Sequence, residues 1–364
     1  MIRLTRPLLP SLDAFNLRLE KIWKEEWLTN RGNQCLELEN KLGTYLGCQN
    51  LSLFCNGTIA LLLGLKALKL SGEVITTPFT FPATTHAIDW AGLSPVFADI
   101  DPKTLTIDPK KVEEAITDRT TAILAVHVFG IPCDVHALEA IARKYQLKLI
   151  YDAAHAFGTE VDGMPIGNFG DLSMFSLHAT KLFHTAEGGA LVYKDAALKS
   201  ELHYLHNFGI KDEDTVVSSG INGKMNELQA ALGLCVLDLV EVERQKRALI
   251  VERYTSNLEA LDDVAAVLPL PSVRSSYQYM PIIIKAQGDR SRDSIFYQLR
   301  AKEILARRYF RPLCTKTPCY ANLPSASACN LPIAEVIDQQ ILCLPLHGDL
   351  SNDDVDHICD IISH

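Results

Sequence analysis

The stretch Gly170-Asp171-Leu172-Ser173-Met174-Phe175-Ser176-Leu177-His178-Ala179-Thr180-Lys181-Leu182-Phe183, with Glu187-Gly188-Gly189-Ala190-Leu191-Val192-Tyr193 after it, reads as strand, tight loop and second strand. Apolar positions at Leu172, Met174 and Phe175 carry the first strand, and the second begins after a glycine pair. Lys181 therefore stands on the loop, with the Ser176 hydroxyl shortly before it. A lysine held in this way can form an imine with an aldehyde, provided that burial or a neighbouring positive charge helps it to lose its proton. A solvated loop lysine is the alternative reading.

Upstream, residues 137–145 read as a helix, Leu147-Lys148-Leu149-Ile150-Tyr151 as a strand, and Asp152-Ala153-Ala154-His155-Ala156-Phe157-Gly158 as its exit. Asp152 thus stands at the carboxyl end of a buried-type strand, the edge where open α/β sheets bind ligands. Such an aspartate serves as an N-cap, a metal ligand or the partner of a protonated ring nitrogen. Pyridoxal phosphate needs the last of these, because a protonated pyridine is an electron sink. His155 either lies over the same site or is a structural histidine. Earlier still, Leu51 to Cys55 reads as a strand, Asn56-Gly57-Thr58 as a turn and Ile59 to Leu68 as an apolar helix. Gly57 lets the backbone approach an anion, and Thr58 offers a hydroxyl beside the free N–H groups of the helix start. Ser176 would supply another phosphate hydroxyl. A plain turn and cap remains open for the Asn-Gly-Thr segment.

Strand and helix alternate from about residue 50 to 195, with strands at Val74–Thr77, Val96–Asp99, Ala122–Val126 and Leu149–Tyr151 ahead of the lysine hairpin. Helices are predicted at 58–70, 82–91, 110–117 and 135–145. The pattern predicts an α/β fold with a largely parallel sheet and helices on both faces. One long helix is predicted over about 224–261. Beyond it, Val264–Leu270, Tyr279–Ile284, the helix Asp293–Glu303 and Leu342–Leu346 predict a small α+β domain, with Pro269–Ser276 as a loop inside it.

Five ordered motifs carry a resemblance: Cys55-Asn56-Gly57-Thr58; Thr77-Pro78-Phe79-Thr80-Phe81-Pro82-Ala83-Thr84; Asp152-Ala153-Ala154-His155; Phe175-Ser176-Leu177-His178-Ala179-Thr180-Lys181 with Glu187-Gly188-Gly189; and Gly220-Ile221-Asn222-Gly223-Lys224-Met225-Asn226-Glu227. In this order they resemble the DegT/StrS-type sugar aminotransferases, pyridoxal-phosphate enzymes of aspartate-aminotransferase fold. The resemblance covers nearly the whole chain. It implies PLP fold type I: a large domain (1–246) with a mostly parallel seven-stranded sheet flanked by helices, and a smaller C-terminal α+β domain (247–364).

Residue by residue, the resemblance implies Lys181 as the Schiff-base lysine and Asp152 as the pyridinium partner. It puts His155 on the cofactor ring and Phe81 stacked on its face, as an aromatic suits a flat ring; a core role for Phe81 stays open. Gly57, Thr58 and Ser176 would bind phosphate. Asn222 would reach that phosphate from a neighbouring subunit, or else cap the next helix. A homodimer with shared active sites follows from the first option. Relatives that replace the lysine with histidine become dehydratases, so Lys181 favours amino transfer.

Pro7-Leu8-Leu9-Pro10-Ser11-Leu12 and Glu26-Trp27-Leu28-Thr29-Asn30-Arg31-Gly32 resemble enzymes of nucleoside-diphosphate 4-keto-6-deoxyhexoses. Trp27, Thr29 and Lys224 are the candidates for the substrate side, with loop packing as the alternative. Arg307, Arg308 and Arg311 around Tyr309 are the candidate cations and aromatic for the nucleotide, or solvated helix-end charge. The reaction implied is a ping-pong transfer with L-glutamate as donor, aminating C4 of dTDP-4-keto-6-deoxy-D-glucose for a surface polysaccharide pathway. The His-Ala-Thr-Lys and Ile-Asn-Gly-Lys-Met forms also occur in relatives that aminate a C3 ketone, which keeps that carbon open. A non-catalytic regulator with the same fold, binding pyridoxal 5′-phosphate without turnover, is a further alternative.

Composition fits an enzyme of this size. With 364 residues and 48% hydrophobic content the chain can bury one large core and a smaller one. A net charge of −9 argues against nucleic acid or an anionic membrane as a main partner. No run of 18 apolar residues and no apolar leader segment is present. The ten cysteines are scattered without metal-type spacing, so no metal is expected, and free thiols in a reducing cytoplasm are. A class I aldolase would share the lysine but would not need the Asp-His and Gly-Thr elements. A nicotinamide oxidoreductase would need Gly-x-Gly-x-x-Gly after its first strand, and that turn does not occur.

Overall fold

Residues 1–363 are described by a computed structural model. Seven strands build the main sheet: β1 (Leu51–Phe54), β2 (Glu73–Thr76), β3 (Ser94–Phe97), β4 (Thr120–Val126), β5 (Lys148–Asp152), β6 (Leu172–Ser176) and β7 (Gly189–Tyr193). Their order across the sheet is β1-β7-β6-β5-β4-β2-β3. β7 alone runs against its neighbours, because it returns directly from β6 as a hairpin; β2 to β6 pair in parallel.

The helices are α1 (Leu12–Glu25), α2 (Asn33–Tyr45), α3 (Gly57–Ala67), α4 (Pro82–Trp90), α5 (Pro109–Glu114), α6 (Val135–Tyr145), α7 (Leu198–Leu205), α8 (Glu227–Leu237) and α9 (Val240–Leu258). Strand periodicity sorts them onto two faces. Ile75, Ile123, Leu149 and Tyr151 point into a core with Leu38 and Leu42 of α2, Leu138 of α6 and Leu234 of α8. The neighbouring residues Val74, Leu124 and Ile150 point the other way, onto Leu61 of α3, Ile88 of α4 and Leu202 of α7. A sheet buried on both faces explains why its strands read as near-continuous apolar runs.

The helix expected over 224–261 is two helices, with Asp238 and Leu239 between α8 and α9. α8 is apolar nearly all round and is clasped by α1 and α2. α9 begins in the large core at Val240, and from Ile250 onward it packs into a second one. The break lets each piece follow its own core. Lys246, where the sequence divides the chain, lies inside α9.

The second core lies under an antiparallel sheet of β8 (Val264–Ala266), β9 (Met280–Ile284) and β10 (Ile341–Leu344). It is covered by α9, by α10 (Arg292–Ala301) and by α12 (Asn352–Ser363), which follows α11 (Pro332–Gln340). The N-terminus reaches across to it: Ile2 bridges Ile304, and Leu346 N–H donates to the Leu4 carbonyl at 2.9 Å. A further apolar cluster joins the two bodies, with Phe79, Phe97 and Phe129 against Phe310, Leu313, Ile337 and Cys343. All ten cysteines are free thiols. Among the described residues no helix is long and apolar enough to cross a membrane, and no group of three or more His, Cys, Asp or Glu residues could hold a metal.

Candidate active site

Three strand ends on one edge of the main sheet bring the expected residues together. β5 ends at Asp152, whose carboxylate is buried. Its Oδ2 accepts the Thr84 hydroxyl at 2.7 Å and its Oδ1 accepts the Ala154 N–H at 3.1 Å. The Thr84 hydroxyl is in turn 2.8 Å from that of Thr80. Burial raises the Asp152 pKa, while the Thr84 and Ala154 bonds and the Lys181 charge resist the rise. Phe81 immediately precedes α4, the helix that supplies Thr84, and is half exposed at the same edge.

Beyond β6 the hairpin ladder continues through Leu177 N–H to the Gly188 carbonyl (2.9 Å) and Ala179 N–H to the Ala186 carbonyl (2.7 Å). The loop so closed presents Lys181. Burial pulls the lysine pKa from 10.5 down to about 8, against the Asp152 charge, which pushes it up. No hydrogen bond takes part in the shift. Lys181 is half-buried on this loop. The amine lies 5.9 Å from the centre of the Tyr279 ring.

His155 is buried, and its Nδ1 accepts the Phe129 N–H at 3.2 Å, which leaves the ring proton on Nε2. Burial and then the Lys181 charge hold its pKa well below 6.5, so the ring is neutral. It lies edge-on to Tyr279 (5.0 Å between centres) and parallel to Phe310 (5.9 Å). Tyr279 meets Tyr309 at 5.4 Å, and the Arg307 guanidinium covers Tyr309 at 4.8 Å. An aromatic wall thus runs from His155 and Lys181 out to the exposed Arg307. The other two arginines face elsewhere: Arg308 bonds Asp293 at 2.9 Å and covers Phe296, and Arg311 bonds Gln339 at 2.8 Å.

The anion cradle forms where β1 meets α3. Asn56 caps the helix, its Oδ1 accepting the Ile59 N–H at 2.8 Å and its carbonyl the Ala60 N–H at 3.1 Å. The Gly57 and Thr58 amides are left for an anion, at the positive end of the helix dipole. A Cβ on Gly57 would lie 3.2 Å from both the Ser176 Cβ and the Met174 Sδ, so this helix start sits tightly against the end of β6.

Trp27, Thr29, Asn222 and Lys224 fall in a second group, which shares no hydrogen bond, ion pair or ring contact with the Lys181 cluster within one chain. Trp27 and Thr29 are exposed on a loop fastened by Glu227, whose carboxylate accepts the Gly32 and Gln34 amides at 2.9 and 2.7 Å. Asn222 is exposed and paired through its backbone with Asn207; Asn226, four residues on, caps α8 instead. Lys224 bonds Asn207 and covers the Phe208 ring at 5.4 Å. The sequence reading missed Thr84, Tyr279 and Gln278, and took Phe310 only as a neighbour of the candidate arginines. Thr84 was within reach, as a hydroxyl in the first turn of a helix beginning Phe81-Pro82. Tyr279 and Gln278 come from chain far from the motifs and carry no local signal.

The model of the DegT/DnrJ/EryC1/StrS aminotransferase family matches residues 12–363. The chain is 45% identical over 353 residues to the dTDP-4-amino-4,6-dideoxy-D-glucose transaminase of Escherichia coli, covering 97% of this chain and 95% of that one. It superposes on the crystal structure of DesI, solved in the presence of its TDP-sugar product, with a TM-score of 0.94 at 36% identity, covering 99% of this chain and 92% of that one. The PLP form of the sugar aminotransferase Spr1654 from Streptococcus pneumoniae superposes with a TM-score of 0.90 at 27% identity, covering 98% and 97%.

Proposed function

This chain belongs to the DegT/DnrJ/EryC1/StrS aminotransferase family, and from that premise we propose that it transfers an amino group from L-glutamate to a nucleotide-linked keto-deoxysugar, with pyridoxal 5′-phosphate as cofactor. The substrate proposed is dTDP-4-keto-6-deoxy-D-glucose and the product dTDP-4-amino-4,6-dideoxy-D-glucose, with 2-oxoglutarate released. The identity with the Escherichia coli transaminase along almost the whole chain supports this choice.

The observation that carries the chemistry is Lys181, a half-buried lysine whose pKa is pulled down to about 8, beside the buried Asp152 carboxylate. The residues fit the cofactor: a lysine ready to lose its proton, a carboxylate at a strand end and two amides at a helix start that lack backbone partners. When bound, pyridoxal phosphate supplies an aldehyde that amines can join and a ring that accepts electrons once its nitrogen is protonated. Asp152 holds the proton on that nitrogen, steadied by Thr84 and Ala154. His155 offers its Nε2–H to the ring. Phe81 would stack on the ring face, and Gly57, Thr58 and Ser176 would hold the phosphate. Lys181 Nζ takes a proton from the carbon bearing the nitrogen and returns it, as a neutral amine acting as general base. Arg307 and Tyr309 receive the nucleotide at the outer end of the aromatic wall.

The second group of residues takes meaning from a homodimer. Asn222 of the partner subunit would then reach the phosphate, and Trp27, Thr29 and Lys224 would face the substrate of the neighbouring site. The exposed apolar residues on these segments support the reading: Trp23, Trp27, Leu28, Phe208, Val216, Val217 and Ile221 face solvent in the single chain. The test is to incubate the protein with L-glutamate and the 4-keto or the 3-keto sugar nucleotide, then place the new nitrogen by NMR. Nitrogen on C4 is expected. Nitrogen on C3, or no product from the 4-keto sugar, overturns the substrate; cofactor binding without any turnover means a regulator.

A further inference from the structure

Gln278 is buried, yet both polar atoms of its side chain are engaged, and both partners belong to the lysine loop. Its Oε1 accepts the Leu182 N–H at 2.8 Å, and its Nε2 donates to the Thr180 carbonyl at 3.0 Å. These two backbone groups lie on either side of Lys181. The amide therefore brackets the lysine in the way that a paired strand would, although no strand is there. The neighbours of Gln278 hold the rest of the site: the Ser276 hydroxyl donates to the His155 carbonyl at 2.7 Å, and the Tyr279 ring lies under the Lys181 amine and against His155. The same run of chain becomes β9 at Met280, the central strand of the small sheet.

We propose that Gln278 is a positioning residue of the transamination, fixing the Lys181 peptide through Thr180 and Leu182 so that the amine is held at the reacting carbon and its place is tied to the small domain. An apolar residue of the same size would fill the space but leave a buried N–H and a buried carbonyl without partners, and the loop would move to find new ones. A displacement of that kind at a group that carries a proton is costly in rate, because proton transfer needs hydrogen-bond reach.

The inference rests on Lys181 being the cofactor lysine, so the wild type is examined first. Borohydride reduction should fix the cofactor on Lys181, as found by peptide mass mapping; if it does not, the proposed function fails before Gln278 is tested. The variants are Gln278→Met and Gln278→Glu. Their readouts are kcat and KM, the melting temperature, and the pH midpoint for acetylation of Lys181 in cofactor-free protein. Gln278→Met is expected to lower kcat about tenfold or more, to leave KM for the sugar nucleotide nearly unchanged, and to move the Lys181 midpoint. Gln278→Glu keeps the shape, and when protonated its carboxyl both accepts and donates, so its rate relative to wild type should recover as pH falls. A folded Gln278→Met protein with the wild-type midpoint and kcat overturns the proposal. So does a loss of rate that follows melting temperature alone in both variants.

Discussion

At Lys181 two opposed effects set the chemistry. Burial drives the ammonium to shed its proton and the Asp152 carboxylate restrains it, with the balance near 8. Replacing Asp152 by Asn removes the restraint, so the pH midpoint for acetylating Lys181 in the cofactor-free protein should fall below that of wild type. Cofactor retention on dialysis should fall with it, because the ring nitrogen loses its partner. A midpoint that rises instead would mean that Asp152 does not act on the amine. The folded value lies below the ordinary 10.5, so this lysine makes the cofactor-free chain more stable as pH rises between about 8 and 10.5. The residues proposed for the chemistry were legible because each carries its own signal: a lysine after a strand, an aspartate at a strand end, a glycine before a helix. Residues that act on those residues were not. Gln278 meets Thr180 and Leu182 only because the fold brings distant chain together, and nothing around Tyr277 in the sequence announces it.

Among the elements, the junction of β1, α3 and β7 leaves no room for a side chain at Gly189. A Cβ on Gly189 would fall 2.5 Å from the Asn56 carbonyl oxygen and 2.8 Å from the Gly57 nitrogen. Both are backbone atoms that cannot turn aside, so Gly189→Ala has to push the start of α3 away. We expect a loss of about 1–3 kcal/mol in denaturant unfolding together with weaker binding of inorganic phosphate by the cofactor-free protein. Unchanged phosphate binding would separate the cradle from this junction. Alternation of strands and helices was readable from residue 50 to 195, since a sheet buried on both faces leaves apolar runs divided by turns. The break between α8 and α9 was not. Asp238 and Leu239 carry no glycine or proline, and the chain turns there because the two helices serve different cores.

At the scale of the molecule, a single chain gives the Asn222 side chain no hydrogen bond to the lysine cluster among the described residues, although the neighbouring Gly223 carbonyl accepts the Cys55 N–H at 2.8 Å. In a homodimer the two would meet across the interface. Mixing Lys181→Ala subunits with Asn222→Ala subunits then gives a clean outcome. If each site draws Lys181 from one subunit and Asn222 from the other, one site in every mixed dimer carries both substitutions and its companion carries neither. Activity should exceed that of either variant alone and approach half the wild-type value per mixed dimer. Sedimentation at enzyme-assay concentrations should show a dimer, and an active monomer would refute it. Size and composition announced two cores, and the resemblance pointed to an interface only through Asn222, because a patch such as Phe208 to Ile221 reads in sequence as an ordinary surface hairpin.

The position of β1 bears on how the molecule is made. It is the first strand of the sheet to leave the ribosome, and its sole neighbour, β7, is the last. An elongating chain must carry β1 unpaired while the intervening strands emerge, a slow, non-local closure. Until β7 arrives, the start of α3 has no Gly189 to rest against and the lysine loop has no return strand. Capture of the proposed cofactor would therefore follow completion of the whole sheet, so that during synthesis or refolding a bound coenzyme would count finished molecules and ignore partial ones.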